Sequence, residues 1–118
     1  MGEFYSPDHQ YMVSICSTEI RMSHWIDQPY LVRVSDNKTL FELEHLWSGS
    51  GIQWVNDSTV TMYLRLYPGL LACDLTLDVA LNQGQVSGEA GSFTGTIPEV
   101  ETWINSLENP SELYRYKG

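Results

Sequence analysis

Between Thr59 and Val79 apolar and polar residues alternate almost without a break. Val60, Met62, Leu64 and Leu66 fall on every second position, and after Pro68-Gly69 the pattern resumes with Leu71, Cys73, Leu75, Leu77 and Val79. A period of two marks a strand with one buried face. Folding the stretch at Pro68-Gly69 sets Leu66 against Leu71, Leu64 against Cys73, Met62 against Leu75 and Val60 against Leu77. A slip of one residue would turn a whole apolar set to the other face, so this register is strongly specified. The opposite face carries Thr61, Tyr63, Arg65, Tyr67, Asp74, Thr76 and Asp78, with Arg65 diagonal to Asp74.

A second hairpin is expected from Leu31 to Leu43. A turn at Asn37-Lys38 pairs Val34 with Phe41 and Val32 with Leu43, and leaves Leu31, Arg33 and Glu42 facing away. Upstream, Ser6-Pro7-Asp8-His9 has turn chemistry, because proline presets φ and Ser and Asp bond their own backbone. A long alternating run then extends from Tyr11 to Ile26, ended by Asp27-Gln28-Pro29. Its two parities are both fairly apolar, which predicts a bulge or bend near Ser17-Thr18. Glu44 to Ser50 reads as a loop or irregular strand holding His45 and Trp47, and Gly49-Ser50-Gly51 as a break. Gly84, Gly88, Gly91 and Gly95 punctuate two short strands around Val86 and Phe93, suited to a sheet edge.

At Thr96 the period changes. Thr96-Ile97-Pro98-Glu99 fits a capping box, with proline in the first turn. Ile97, Val100, Trp103, Ile104 and Leu107 follow at helical spacing, and Asn109-Pro110 stops the helix. The expected fold is therefore mainly β. It is an antiparallel meander of six to eight strands, either an open bent sheet or a small barrel, with one C-terminal α-helix. The chain reads as a single domain over 1–118, with the meander at 5–95, the helix at 96–109 and a polar tail at 110–118.

Ser6-Pro7-Asp8 and Val55-Asn56-Asp57 each precede a strand, at an offset close to the size of one β-propeller blade. Ser6-Pro7-Asp8, Leu31 to Leu43 and Ile52-Gln53-Trp54 resemble pieces of such blades, although two units do not close a propeller, which takes about four or more. Ser6-Pro7-Asp8, Arg21-Met22-Ser23-His24-Trp25-Ile26 and Leu46-Trp47-Ser48 together resemble a group of small bacterial proteins of unknown function. The likeness spans residues 6–80 and implies no activity and no catalytic residues.

Composition narrows the function classes. Six basic and fifteen acidic side chains give a net charge of −9. Such a surface repels phosphate backbones and anionic membranes, so neither a nucleic acid nor a membrane is an expected partner, whereas a neutral or basic protein is. No run reaches the ~18 consecutive apolar residues of a transmembrane helix. The start at Met1 has no basic-then-apolar signal segment, and Gly2, although placed like a myristoylation site, is flanked by Glu3 and Pro7. Cys16 and Cys73 read as two buried free thiols, so a cytoplasmic location is expected.

The candidates for chemistry are sparse. His9, His24 and His45 lack the close pairs of a zinc site, and no metal or other cofactor is expected. No Gly-x-Ser-x-Gly elbow is present, and Ser6, Asp8 and His9 are explained by a turn. Asp74 with Asp78, and Glu42 with Glu44, suit a solvated sheet face better than a pair of catalytic carboxylates. The glycines of 84–95 are not followed by the lysine of a phosphate-binding loop. No catalytic residue is named, and the protein is expected not to be an enzyme.

The remaining cluster is Arg21, His24, Trp25 and Trp47. Arginine and large aromatics anchor interfaces, while four tryptophans in a small domain also suit a core, so the cluster is read both ways. Three functions follow from these features: a non-enzymatic protein that binds another protein, a carrier holding an apolar ligand inside a closed meander barrel, and an enzyme using His24 or His45. The first is favoured by charge and by the lack of a catalytic constellation. The carrier would need an apolar cavity lined by Met62, Leu64, Trp54 and Leu75.

Overall fold

The computed structural model of the chain describes residues 2–20, 24–44, 46–67 and 71–107. The run Thr59–Leu66 forms strand β6 and Ala72–Asp78 forms β7. Their register is the one that apolar pairing dictates: Val60 faces Leu77, Met62 faces Leu75 and Leu64 faces Cys73. The Leu66 N–H closes the ladder on the Leu71 carbonyl at 2.9 Å. Tyr63 pairs with Asp74 and Arg65 with Ala72, so Arg65 and Asp74 are diagonal neighbours. The turn at 68–70 lies outside the described residues.

This hairpin is the middle of a five-stranded antiparallel sheet, β5-β6-β7-β8-β9, made with β5 (Trp47–Trp54), β8 (Gln83–Gly88) and β9 (Gly91–Gly95). The four strands before it form a second antiparallel sheet, β1-β2-β3-β4, from Gly2–Tyr5, Tyr11–Ile20, His24–Arg33 and Lys38–Glu42. Each sheet is a meander. Both are open, and the nine described strands exceed the six to eight expected. The short strand around Phe93 is an edge, as its glycines suggest, but the one around Val86 lies between two neighbours.

The strand boundaries differ from expectation in three places: β1 (Gly2–Tyr5) lies almost wholly ahead of the meander expected from residue 5, and two readings further along the chain are corrected. The alternating run from Tyr11 does not continue to Ile26; the chain reverses, and β2 pairs with β3 from Tyr11↔Arg33 to Ile20↔His24 without any register shift. No bulge occurs at Ser17-Thr18, and Asp27-Gln28-Pro29 lies inside β3. Proline is tolerated there because the pairing of β3 with β4 begins only at Tyr30↔Glu42. The second correction is the break at Gly49-Ser50-Gly51. β5 runs through it as a bulge between Ser50 and Gln53, with Gly51 at φ +60°, a conformation glycine adopts without strain.

The β3–β4 hairpin has its positive-φ Asn37 in the turn as expected, but a different register. Arg33 pairs with Lys38 and Leu31 with Phe41, not Val34 with Phe41 or Val32 with Leu43. The Asp36 carboxylate decides this, accepting the Lys38 N–H at 3.3 Å and two guanidinium bonds from Arg33 at 3.0 and 2.8 Å. The turn is thereby widened to Val34–Asn37. A shift between Leu31 and Val32 then lets both be buried, contrary to the outward place expected for Leu31.

The apolar faces of the two sheets meet in one core, Val13, Leu31 and Phe41 on one side and Leu64, Leu75 and Leu77 on the other. The helix α1 (Ile97–Asn105) adds Ile97, Val100 and Ile104. Its capping box is formed: the Glu99 N–H donates to the Thr96 hydroxyl at 3.3 Å, and the Thr96 N–H donates to Glu99 Oε1 at 2.9 Å. Such a cap contributes about 1 kcal/mol. The helix ends at Asn105, short of the expected Asn109, where the Ser106 hydroxyl bonds the Trp103 carbonyl at 2.6 Å. Glu101 and Asn105 accept the Glu42 and Glu44 N–H groups at 2.7 and 3.0 Å, tying the helix to the edge of the first sheet. A Cβ at Gly84 would come within 2.9 Å of Val100 and Leu77, so only glycine at this place in β8 admits the helix so closely. The polar tail at 110–118 lies outside the described residues.

The two sheets also repeat a detail. β1 and β5, the first strand of each, are followed by the two look-alike turns. Asp8 Oδ1 accepts the Gln10 N–H at 3.2 Å, and Asn56 Oδ1 accepts the Ser58 N–H at 2.9 Å. Both are Asx turns, in which a side chain stands in for a backbone carbonyl.

Candidate interaction surface

Of the four residues singled out in the sequence, the two tryptophans are the ones whose side chains the structure describes, and they differ in burial. Trp47 opens β5, pairs with Leu66 and is 1% exposed, so it belongs to the core. Trp25 lies on β3 and is 57% exposed. Arg21 lies outside the described residues, and His24 is described only as the first residue of β3. His45 is likewise outside them.

The difference between the tryptophans comes from where the first sheet is covered. On the face of β2 and β3 that carries Val13 and Leu31, successive pairs are Ile15↔Pro29, Ser17↔Asp27 and Glu19↔Trp25. Ile15 is still buried by the core, Ser17 and Asp27 are half-buried, and Glu19 and Trp25 are exposed. On this face the hairpin runs out from under the second sheet and becomes a surface, whereas Ile26, between Trp25 and Asp27 on the other face, is buried. Two acids flank the indole there. Asp27 is held from two sides, its carboxylate accepting the Ser17 hydroxyl at 2.7 Å and its N–H donating to the Ser48 hydroxyl of β5 at 3.0 Å.

Glu19 and Asp27 were missed as site residues. Glu19 is linked to Trp25 by cross-strand pairing, visible only once the reversal after Ile20 is known, whereas Asp27 stands two positions on along the same strand, at a place the sequence marks as a strand end. Other exposed apolar side chains sit at turns, such as Val55 and Leu81, or on strands with less exposure than Trp25, such as Phe4, Tyr5 and Tyr63. Scattered single residues of that kind are ordinary on a protein surface. The tryptophans Trp54 and Trp103 are both half-buried. The Trp54 indole donates to the Phe4 carbonyl at 2.7 Å, and Trp103 stacks on Phe93 with ring centroids 5.6 Å apart.

The other candidates resolve into structure. Ser6 is fully buried and organises its turn, its hydroxyl donating to Asp8 at 2.8 Å and accepting the Tyr11 N–H at 3.1 Å. His9 stacks on Tyr5 at 5.3 Å and adopts φ +61°. Asp78 caps the β7–β8 turn by accepting the N–H groups of Ala80 and Leu81. Among the described residues no three His, Cys, Asp or Glu side chains converge as metal ligands do.

Cys73 is buried, and burial pushes its thiol up to about 11. Cys16, expected to be buried, is exposed, because it occupies the β2 face turned away from the core. The two sulfurs are free and belong to different sheets. No described helix is long and apolar enough to cross a membrane.

The barrel required of an apolar-ligand carrier is not formed, since each sheet ends in strands paired on one side only. Met62, Leu64 and Leu75 are instead buried in the shared core, with Trp54 packed against it. No family model matches the chain, and neither a curated protein nor a solved structure is similar to it.

Proposed function

We propose that this protein acts by binding another protein, without catalysis, through the exposed face of the β2–β3 hairpin centred on Trp25. The observation that carries the reading is the 57% exposure of Trp25 on a regular strand, in register with Glu19. A tryptophan left in water forgoes about 1.5–3 kcal/mol or more of burial, and interfaces recover that energy by desolvating such anchors. The net charge of −9 favours a neutral or basic partner and disfavours nucleic acid and anionic membranes. Arg21, close to Trp25 in sequence, would add a directed contact in an otherwise negative field. The two free thiols suit a reducing compartment, so the cytoplasm is the place proposed for this binding.

A photo-crosslinking side chain at position 25 tests the reading, with the same group at Val55, also exposed, as control. In a lysate of the source organism, position 25 should give a discrete adduct that position 55 does not. The partner so identified should bind Trp25→Ala about tenfold or more weakly, the loss of an anchor worth roughly 1.4 kcal/mol or more. Identical adducts from both positions, or unchanged affinity of Trp25→Ala, would remove the reading.

A further inference from the structure

Beside the Trp25 face a slot of about 440 Å³ opens between the two sheets. Its walls are β1, with Gly2 and Phe4, and β5, from Gly49 to Ile52; Ile15 and Asp27 also line it. The Trp54–Phe4 bond joins β1 to β5, and the Asp27–Ser48 bond joins β3 to β5. The slot is mostly apolar, and its acid, Asp27, stands on the same strand face as Trp25.

We infer that this slot and the adjoining hairpin face take an extended basic segment of a partner protein, with an apolar side chain in the slot and cationic side chains at Asp27 and at Glu19–Trp25. The inference rests on the binding role of Trp25 proposed above and adds the chemistry of the partner. Three features argue for it. First, Ile15↔Pro29, Ser17↔Asp27 and Glu19↔Trp25 follow one another on one face at two-residue steps, about 6.6–6.8 Å apart along a strand. An extended segment presents alternate side chains at the same interval, so one apolar and two basic residues, each separated by one residue, match the three steps.

Second, the charge is complementary. Glu19 and Asp27 are the acids of these steps, the molecule as a whole carries −9, and an indole face beside a carboxylate receives a guanidinium or ammonium group by cation–π attraction. Third, the slot can accept one or two side chains and not a globular surface, which favours a segment over a folded face.

The probe is a synthetic peptide, Ser-Leu-Ser-Lys-Ser-Arg-Ser, and its control has glutamate in place of both basic residues. Titrated into the full chain, the basic peptide should shift the backbone amide resonances of Ile15, Asp27, Gly51 and Ile52, and the acidic one should not. Asp27→Asn, which keeps the shape, should weaken the basic peptide about fivefold and flatten its salt dependence. Phe4→Ala, at an exposed wall position, should weaken it without altering that salt dependence. No binding at millimolar peptide, equal binding of the acidic control, or shifts confined to other residues would overturn the inference. The Trp25 reading is judged separately by the crosslinked partner. A partner that depends on Trp25 but binds Asp27→Asn and Phe4→Ala as tightly as the unaltered chain would leave that reading standing and the slot refuted.

Discussion

Trp25 and Trp47 carry the same side chain and differ in what lies over them. Trp47 starts the strand nearest the first sheet and is enclosed by both sheets, whereas Trp25 is two steps beyond the last buried pair of its hairpin. Trp47→Ala should therefore cost about 3–5 kcal/mol in denaturant melts, and Trp25→Ala well under ~1 kcal/mol. Comparable losses would mean that Trp25 is covered. Amino-acid type alone could not separate the two, because coverage is decided by a strand more than twenty positions away in the chain. Asp36 offers a test of a different kind. The Arg33 guanidinium holds its carboxyl at about 2, below the ordinary 3.8. A carboxylate lowered on folding stabilises the folded state above its unfolded value and loses that contribution as pH falls through the folded one. The Asp36 carboxyl resonance should thus titrate near pH 2 in the native chain and move back toward its ordinary 3.8 in Arg33→Gln. A midpoint unmoved by that substitution would place the cause elsewhere. Both groups are exposed to solvent, so the pairing sets turn geometry more than global stability.

Elements were legible where pairing could be checked against itself. The β6–β7 register followed from the alternation because every apolar residue on one strand meets another across the turn. Leu64→Ala at its centre should cost about 2–5 kcal/mol, and Thr61→Ala on the opposite face under ~1 kcal/mol; equal costs would invert the face assignment. The helix start was legible for a similar reason, since capping box, proline and period agree on Thr96. The β2–β3 reversal was not, because Arg21-Met22-Ser23 holds none of the Gly, Pro or Asn that usually mark a turn, while Asp27-Gln28-Pro29 holds a turn signal that the structure does not use. The β3–β4 register was lost to one side chain, Asp36, whose bonds widen the turn. The candidate site depends on the same reversal: Trp25 is legible in the sequence, but Glu19 becomes its neighbour only through the β2–β3 pairing, and Asp27 shares its face only because β3 continues through Asp27-Gln28-Pro29. The helix is also a testable cover. Ending the chain after Gly95 uncovers Leu77 and Gly84, and the truncated protein should melt at a clearly lower temperature. An unchanged midpoint would make the helix an appendage.

At the scale of the whole molecule the two meanders look like independent units, each opened by a strand and an Asx turn, yet their cores are not separate. Phe41 and Leu31 of the first sheet, Leu64 and Leu77 of the second and Ile104 of the helix belong to one buried cluster. The bonds of Trp54 to Phe4 and of Asp27 to Ser48 join the sheets at their margins. A sheet with one exposed apolar face is not stable alone, so neither meander has an independent way to bury its inward residues. Unfolding should therefore be a single transition. Phe41→Ala, placed wholly in the first sheet, should lower the midpoint by an amount corresponding to about 3–5 kcal/mol. It should do so equally for probes in both sheets, read as amide exchange at Val13 and at Leu75. If exchange at Val13 accelerates while that at Leu75 keeps its protection, the sheets open separately. The margin between them, where the slot lies, would then be a hinge rather than a fixed binding surface.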